Sequence, residues 1–75
     1  MSLVIGKKGL ITNGDMQGWY LRIDDDYQNT GGFLIIYNSS SDLLSGVGYD
    51  DWVENKAALQ DFFEESCWTI DWNED

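Results

Sequence analysis

The chain has 75 residues, with 14 Asp and Glu against four Lys and Arg, no His and one Cys, and a formal net charge of -10 at pH 7. Like charge on so small a surface opposes compaction and repels phosphate backbones and anionic membranes, which argues against nucleic acid and lipid and for a cationic partner. Apolar residues at 43% and aromatics at 15% exclude a disordered acidic tail.

The expectation is one acidic globular domain over residues 1–75. Cys67 has no partner for an internal disulfide, so a reducing cytoplasm is the natural compartment. No apolar run approaches the ~20 residues of a membrane span, and the N-terminus lacks the apolar core of a secretory signal.

Leu3-Val4-Ile5 and Leu10-Ile11-Thr12 flank Gly6-Lys7-Lys8-Gly9, a strand, turn, strand signal. Asn13-Gly14 is a turn dipeptide leading to Gly18–Ile23, where Trp19, Leu21 and Ile23 fall on one face and Tyr20, Arg22 and Asp24 on the other, as in a half-buried strand. Asp24 to Gly32 reads as a polar connector. Phe33-Leu34-Ile35-Ile36-Tyr37 has no polar interruption and predicts a central strand covered on both faces. Asn38 to Gly48, rich in Ser and Gly, predicts a loop anchored by Leu43, Leu44 and Val47.

Trp52, Leu59, Phe62 and Phe63 then recur at helical intervals, Ala57 and Ala58 favour helix, and Cys67 continues the stripe as a small buried residue. This predicts a helix from about Asp51 to Ser66, opened by Asp51 and Glu54 in an arrangement like a capping box. Trp68-Thr69-Ile70-Asp71-Trp72 alternates and predicts a last strand, with residues 73–75 trailing into solvent. The expected fold is α+β: a small, mainly antiparallel sheet with one helix packed on one face, in the order β-β-β-α-β.

Catalysis has little to build on. Without His, and with a lone Cys, the usual nucleophile and base pairs cannot be assembled, and Ser39, Ser40 and Ser41 form a polar loop with nothing to fix them beside a lysine. Paired carboxylates can do acid and base chemistry, but so short a chain leaves little room for a substrate cleft. The protein is expected not to be an enzyme and to need no cofactor. Asp24, Asp26 and Gln28 match positions 1, 3 and 5 of a calcium loop, yet Asn29 replaces the turn glycine and Ile35 the closing glutamate. A looser calcium site at Asp24, Asp25 and Asp26 stays open as an alternative, whereas one Cys and no His disfavour zinc.

On the expected helix, Asp50, Glu54, Asp61 and Glu65 lie at offsets of 4, 11 and 15 and share one side. Their like-charged i,i+4 pairs each cost a few tenths of a kcal/mol. Glu64 and Glu65 stand near the C-terminus, where the macrodipole prefers cations. Placement so unfriendly to stability predicts a cation-docking surface, with Asp24, Asp25, Asp26 and Tyr27 contributing. Trp52, Phe62, Phe63, Trp68 and Trp72 are expected in the core, leaving Tyr20, Tyr27, Tyr37 and Tyr49 for a surface where aromatics supply contact area at low entropic cost.

With Gly18–Asp26, the Thr30–Tyr37 strand and Asp50–Trp72 in place, the chain resembles the small acidic immunity proteins that neutralise bacterial toxins, many of them nucleases. The resemblance rests on size, acidity and element order, and carries no motif by which a binding residue transfers. It implies a bacterial inhibitor of a basic toxin or nuclease that works by carboxylate pairing, as a monomer or homodimer. The alternatives are a DNA mimic of a phage or mobile element, with carboxylates in two rows, and a homodimeric structural module joined through a strand edge near Leu3–Ile5.

Overall fold

The computed structural model describes residues 3–72, so the expectation for residues 73–75 lies outside the described residues. The elements are β1 (Lys8–Ile11), β2 (Tyr20–Asp26), α1 (Tyr27–Thr30), β3 (Gly32–Asn38), β4 (Gly48–Val53), α2 (Lys56–Ser66) and β5 (Ile70–Asp71). They form a five-stranded sheet in the order β4-β3-β2-β1-β5, with every neighbouring pair antiparallel. The α+β class and the single main helix agree with the sequence reading, but β4 is an additional strand and α1 a single helical turn.

Alternation in β2 places Leu21 and Ile23 on the face that α2 covers. There they pack with Ile11, Phe33, Ile35, Leu59 and Phe63 as the buried core. The connector before β2 closes in a bulge: Gly18 N–H donates to Ile11 O (2.8 Å) while Ile11 N–H donates to Trp19 O (2.8 Å), setting two residues against one. Gly18 has φ 90°, which a side chain would resist. Among the described residues the segment before β1 forms no strand of its own; Ile5 makes an isolated parallel bridge to Ile23.

The expected helix start is four to five residues too early. Gly48–Val53 pairs along its whole length with β3, from Asn38↔Gly48 to Phe33↔Val53, so its peptide groups are committed to a sheet. α2 begins instead after Asn55, whose Oδ1 accepts from Ala58 N–H (2.8 Å). Asp50 and Glu54 therefore do not lie on a helix, and the side shared with Asp61 and Glu65 does not form. Trp52 is not in the core: it is 49% exposed and its ring lies over Gly32. Cys67 is exposed rather than buried, because the chain leaves the helix through it in a left-handed conformation (φ 57°).

The last strand is shorter than expected. Asn13 holds its approach, with Oδ1 accepting from Thr69 N–H (2.7 Å) and Nδ2 donating to Cys67 O (3.0 Å), and only Ile70 and Asp71 then pair with β1. Close approach to Gly9 makes that pairing possible, since a Cβ there would stand 2.6 Å from Ile70 Cγ2. β3 is not covered on both faces. The register turns Phe33, Ile35 and Tyr37 toward α2 and leaves Leu34 and Ile36 half-buried on the outer face. The loop 39–47 skirts that outer face, held by buried Asn38, whose Oδ1 accepts from Ser40 N–H (2.8 Å) and Gly46 N–H (3.2 Å).

Candidate functional site: an acidic aromatic edge

β4 is an edge strand, and five of its six residues are exposed. The strand reads Gly-Tyr-Asp-Asp-Trp-Val, so each face of the edge carries one aromatic and one carboxylate. Tyr49 and Asp51 lie on the helix-side face, opposite Tyr37 and Ile35; Asp50 and Trp52 lie on the outer face, opposite Ile36 and Leu34. Tyr49 is 56% exposed. Among the described residues, Asp50 and Asp51 make no ion pair.

The aromatics at this edge are held in place rather than loose. Tyr49 stacks on Trp19 (centroids 5.8 Å, 10° between planes) and leans on Tyr37, which packs edge-on against Trp68; Trp68 in turn meets Phe62 and Phe63 of α2. A row of rings thus runs from the core to the strand edge. The Tyr37 hydroxyl donates to Asp51 Oδ2 (2.8 Å), fixing that carboxylate beside the row. Desolvation, with this bond and the neighbouring negative charge, pushes the Tyr37 phenol up to about 12. On the outer face, Trp52 Nε1 donates to Thr30 Oγ1 (2.8 Å), and Thr30 donates to Asp26 Oδ2 (3.1 Å).

Beyond Val53 the edge meets the turn between β2 and β3. Asp25, Tyr27, Gly31, Gly32, Phe33, Glu54, Asn55 and Lys56 surround one surface depression, so three of the sequence-predicted residues, Asp25, Tyr27 and Glu54, converge there. Tyr27 is 65% exposed. Lys56 is the cation at this corner, in the first turn of α2, where the helix dipole would favour an anion.

The remaining predicted residues are distributed differently. Asp24 is committed to Arg22, which donates to it twice (Nε 2.6 Å, Nη2 3.0 Å); that bond also raises the guanidinium above its usual range. Asp25 and Asp26 serve the turn, Asp25 accepting from Tyr27 N–H (3.1 Å) and Asp26 from Asn29 Nδ2 (3.1 Å). The three aspartates thus face three different partners. Among the described residues, no group of three or more potential ligands is placed to hold a metal ion. Asp61 and Glu65 lie on the exposed part of α2, on the Phe62 side, whereas Gln60 and Glu64 border Leu3 beside Phe63. Asp42, outside the site, spends its carboxylate within its own loop. Ser45 Oγ, Ser45 N–H and Leu44 N–H all donate to it and hold it well below the usual carboxylate range.

Apart from Lys56, the strand cations Lys8 and Arg22 sit toward the other side of the sheet. One cross-strand row on the outer face reads Lys8, Arg22, Ile36, Asp50, from β1 to β4. Lys8 is occupied there, its Nζ donating to Ser41 O (2.9 Å) and standing 5.5 Å from the Tyr20 ring. The row is therefore a charge gradient ending in an unpaired carboxylate at the β4 edge. Asp51 and Trp52 were not among the predicted site residues, and Tyr49 was named only as an aromatic for a contact surface. The Asp-Asp pair flanked by two aromatics is the signal that could have found them.

The chain matches no protein-family model, and neither curated proteins nor solved structures give a significant match. No helix is long and apolar enough to cross a membrane, among the described residues.

Proposed function

We propose that this is a non-enzymatic acidic binding protein that receives a basic protein partner on the β4 edge and the adjoining α1 corner, as an immunity-type inhibitor receives a toxin or nuclease. The supporting observation is the grouping of Asp50, Asp51, Glu54 and Asp25 with exposed Tyr49, Trp52 and Tyr27 at one sheet edge, with Lys56 at its corner and with Lys8 and Arg22 on the strands beyond β3. Carboxylates supply attraction over roughly a Debye length, about 8 Å at physiological salt, and so speed encounter. Held aromatics supply the desolvated contact that carries binding energy once the partners meet. Asp61 and Glu65 extend the negative field along α2.

The test is a titration against a panel of basic nuclease and toxin domains. Stoichiometric loss of one domain's activity, relieved when Asp50 and Glu54 are reversed to lysine, supports the reading. Loss of no activity across the panel, or inhibition indifferent to those reversals, counts against it.

A further inference from the structure

The β4 backbone carries more information than its side chains. Ser39 N–H donates to Val47 O (3.0 Å), which sets the phase of the β3–β4 ladder. Closely bonded pairs recur every second residue in an antiparallel ladder. Tyr49, Asp51 and Val53 therefore turn their peptide groups inward to Tyr37, Ile35 and Phe33, and Gly48, Asp50 and Trp52 turn theirs outward. Among the described residues nothing bonds to those outward groups. The edge thus offers alternating donors and acceptors over five residues, flanked on both faces by a carboxylate and a ring.

Resting on the acidic-edge reading above, we propose that β4 binds its partner by strand addition, pairing antiparallel with an extended segment that carries two consecutive basic residues between apolar ones. Antiparallel pairing sets the segment's residues in turn against Trp52, Asp51, Asp50 and Tyr49. Because successive side chains alternate faces, the basic pair places one cation on each face, opposite the one carboxylate there. The flanking residues meet Trp52 and Tyr49. Charge selects this occupant over a second copy of the chain. A two-fold pairing centred on the strand sets Asp50 against Asp50 or Asp51 against Asp51, and directly opposed like charges destabilise such a pair, in a molecule whose net charge is already -10.

The probe is a capped hexapeptide, Thr-Val-Arg-Lys-Val-Thr, compared with the same peptide N-methylated at the first valine and the lysine, whose N–H groups would face β4. Both keep the charge; only the first can complete the ladder. Nuclear magnetic resonance titration at low salt reads affinity, and hydrogen exchange reads the Asp50 and Trp52 amides. The expected result is protection of those two amides and at least about five-fold weaker binding by the methylated peptide, the scale of one or two lost hydrogen bonds. Asp50→Asn keeps the outward N–H while Asp50→Pro removes it, and an edge strand tolerates proline where the N–H faces solvent. The proline variant should bind about five-fold more weakly than the asparagine variant.

Equal binding by both peptides, with no amide protection, overturns strand addition while leaving salt-dependent charge recognition, and with it the proposed function, standing. Absence of salt-dependent binding by either peptide overturns both. Protection that rises with protein concentration in the absence of peptide assigns the edge to a second copy and overturns the chosen occupant. The peptide comparison needs no variant, so a proline variant that fails to fold leaves the proposal testable.

Discussion

Replacing Tyr37 with Phe removes one hydroxyl at the point where the core meets the acidic edge. The ring contacts with Tyr49 and Trp68 survive, while the 2.8 Å bond to Asp51 Oδ2 is lost. Hydrogen bonds to charged groups contribute about 1.5–3 kcal/mol when well shielded; solvent reaches Asp51, so ~1 kcal/mol is the appropriate scale. For a domain of this size that lowers the Tm by roughly 4–8 °C. The bond also has a pH signature. The folded phenol titrates at about 12 against an ordinary value of 10.0, so between those limits the unfolded chain has released the proton and the folded chain has kept it. Stability is fully present below pH 10 and falls as pH rises toward 12. Full linkage would amount to about 2.7 kcal/mol over two units, which solvent screening reduces to ~1 kcal/mol. Urea unfolding of both proteins at pH 7 and across the alkaline range measures the two effects. Equal stability at neutral pH, together with superimposable alkaline profiles, would refute the assignment of Asp51 to this bond.

Three further substitutions test how α2 is bounded. Asn55→Ala removes the acceptor of the Ala58 N–H and should destabilise by ~1 kcal/mol in thermal or urea unfolding, whereas Asp51→Ala should not shorten the helix, since Asp51 belongs to β4. Cys67→Gly relieves a side chain held at φ 57° and should stabilise by about 1 kcal/mol, outweighing the weak bond from Sγ to Glu64 O (3.4 Å); an unchanged or lower Tm would contradict the left-handed exit.

Where one face is buried and the other wet, the sequence was legible. Trp19, Leu21 and Ile23 alternate because β2 lies inside the sheet under α2, and Leu59, Phe62 and Phe63 repeat at helical spacing because α2 covers that face. β4 was hidden for the opposite reason. Its residues face solvent on both sides, so alternation carries no hydrophobic contrast, and Trp52 happens to stand seven residues before Leu59. The two aspartates that made the segment look unlike a strand are a common protection of sheet edges. Glu54 three residues after Asp51 imitated a capping box and drew attention from Asn55, the residue that caps. At the other end, neither Gly nor Pro marks the exit, so the stripe seemed to run on into Cys67.

The candidate site was only partly legible in place. Surplus charge singled out carboxylates as the expected recognition chemistry, and Asp25, Tyr27 and Glu54 do meet at one corner. The alternation already set Asp24 on the same strand face as Arg22, two residues away, yet Asp24 was grouped with Asp25 and Asp26 rather than with the arginine that holds it. The helix assumption grouped Asp50 with Asp61 and Glu65; the sheet groups it with Asp51 and Trp52.

The central claim is that negative charge concentrated at the β4 edge and α1 corner guides a basic protein to this surface. Stopped-flow association with a basic domain that binds in the titration proposed above tests it most directly, for the native chain and for Asp50→Lys with Glu54→Lys, at several salt concentrations. The account predicts an on-rate that falls at least about ten-fold from low to high salt, and a variant, folded by circular dichroism, whose rate is slower and nearly flat across that range. A rate that salt leaves unchanged, or that the two reversals leave intact, would contradict it.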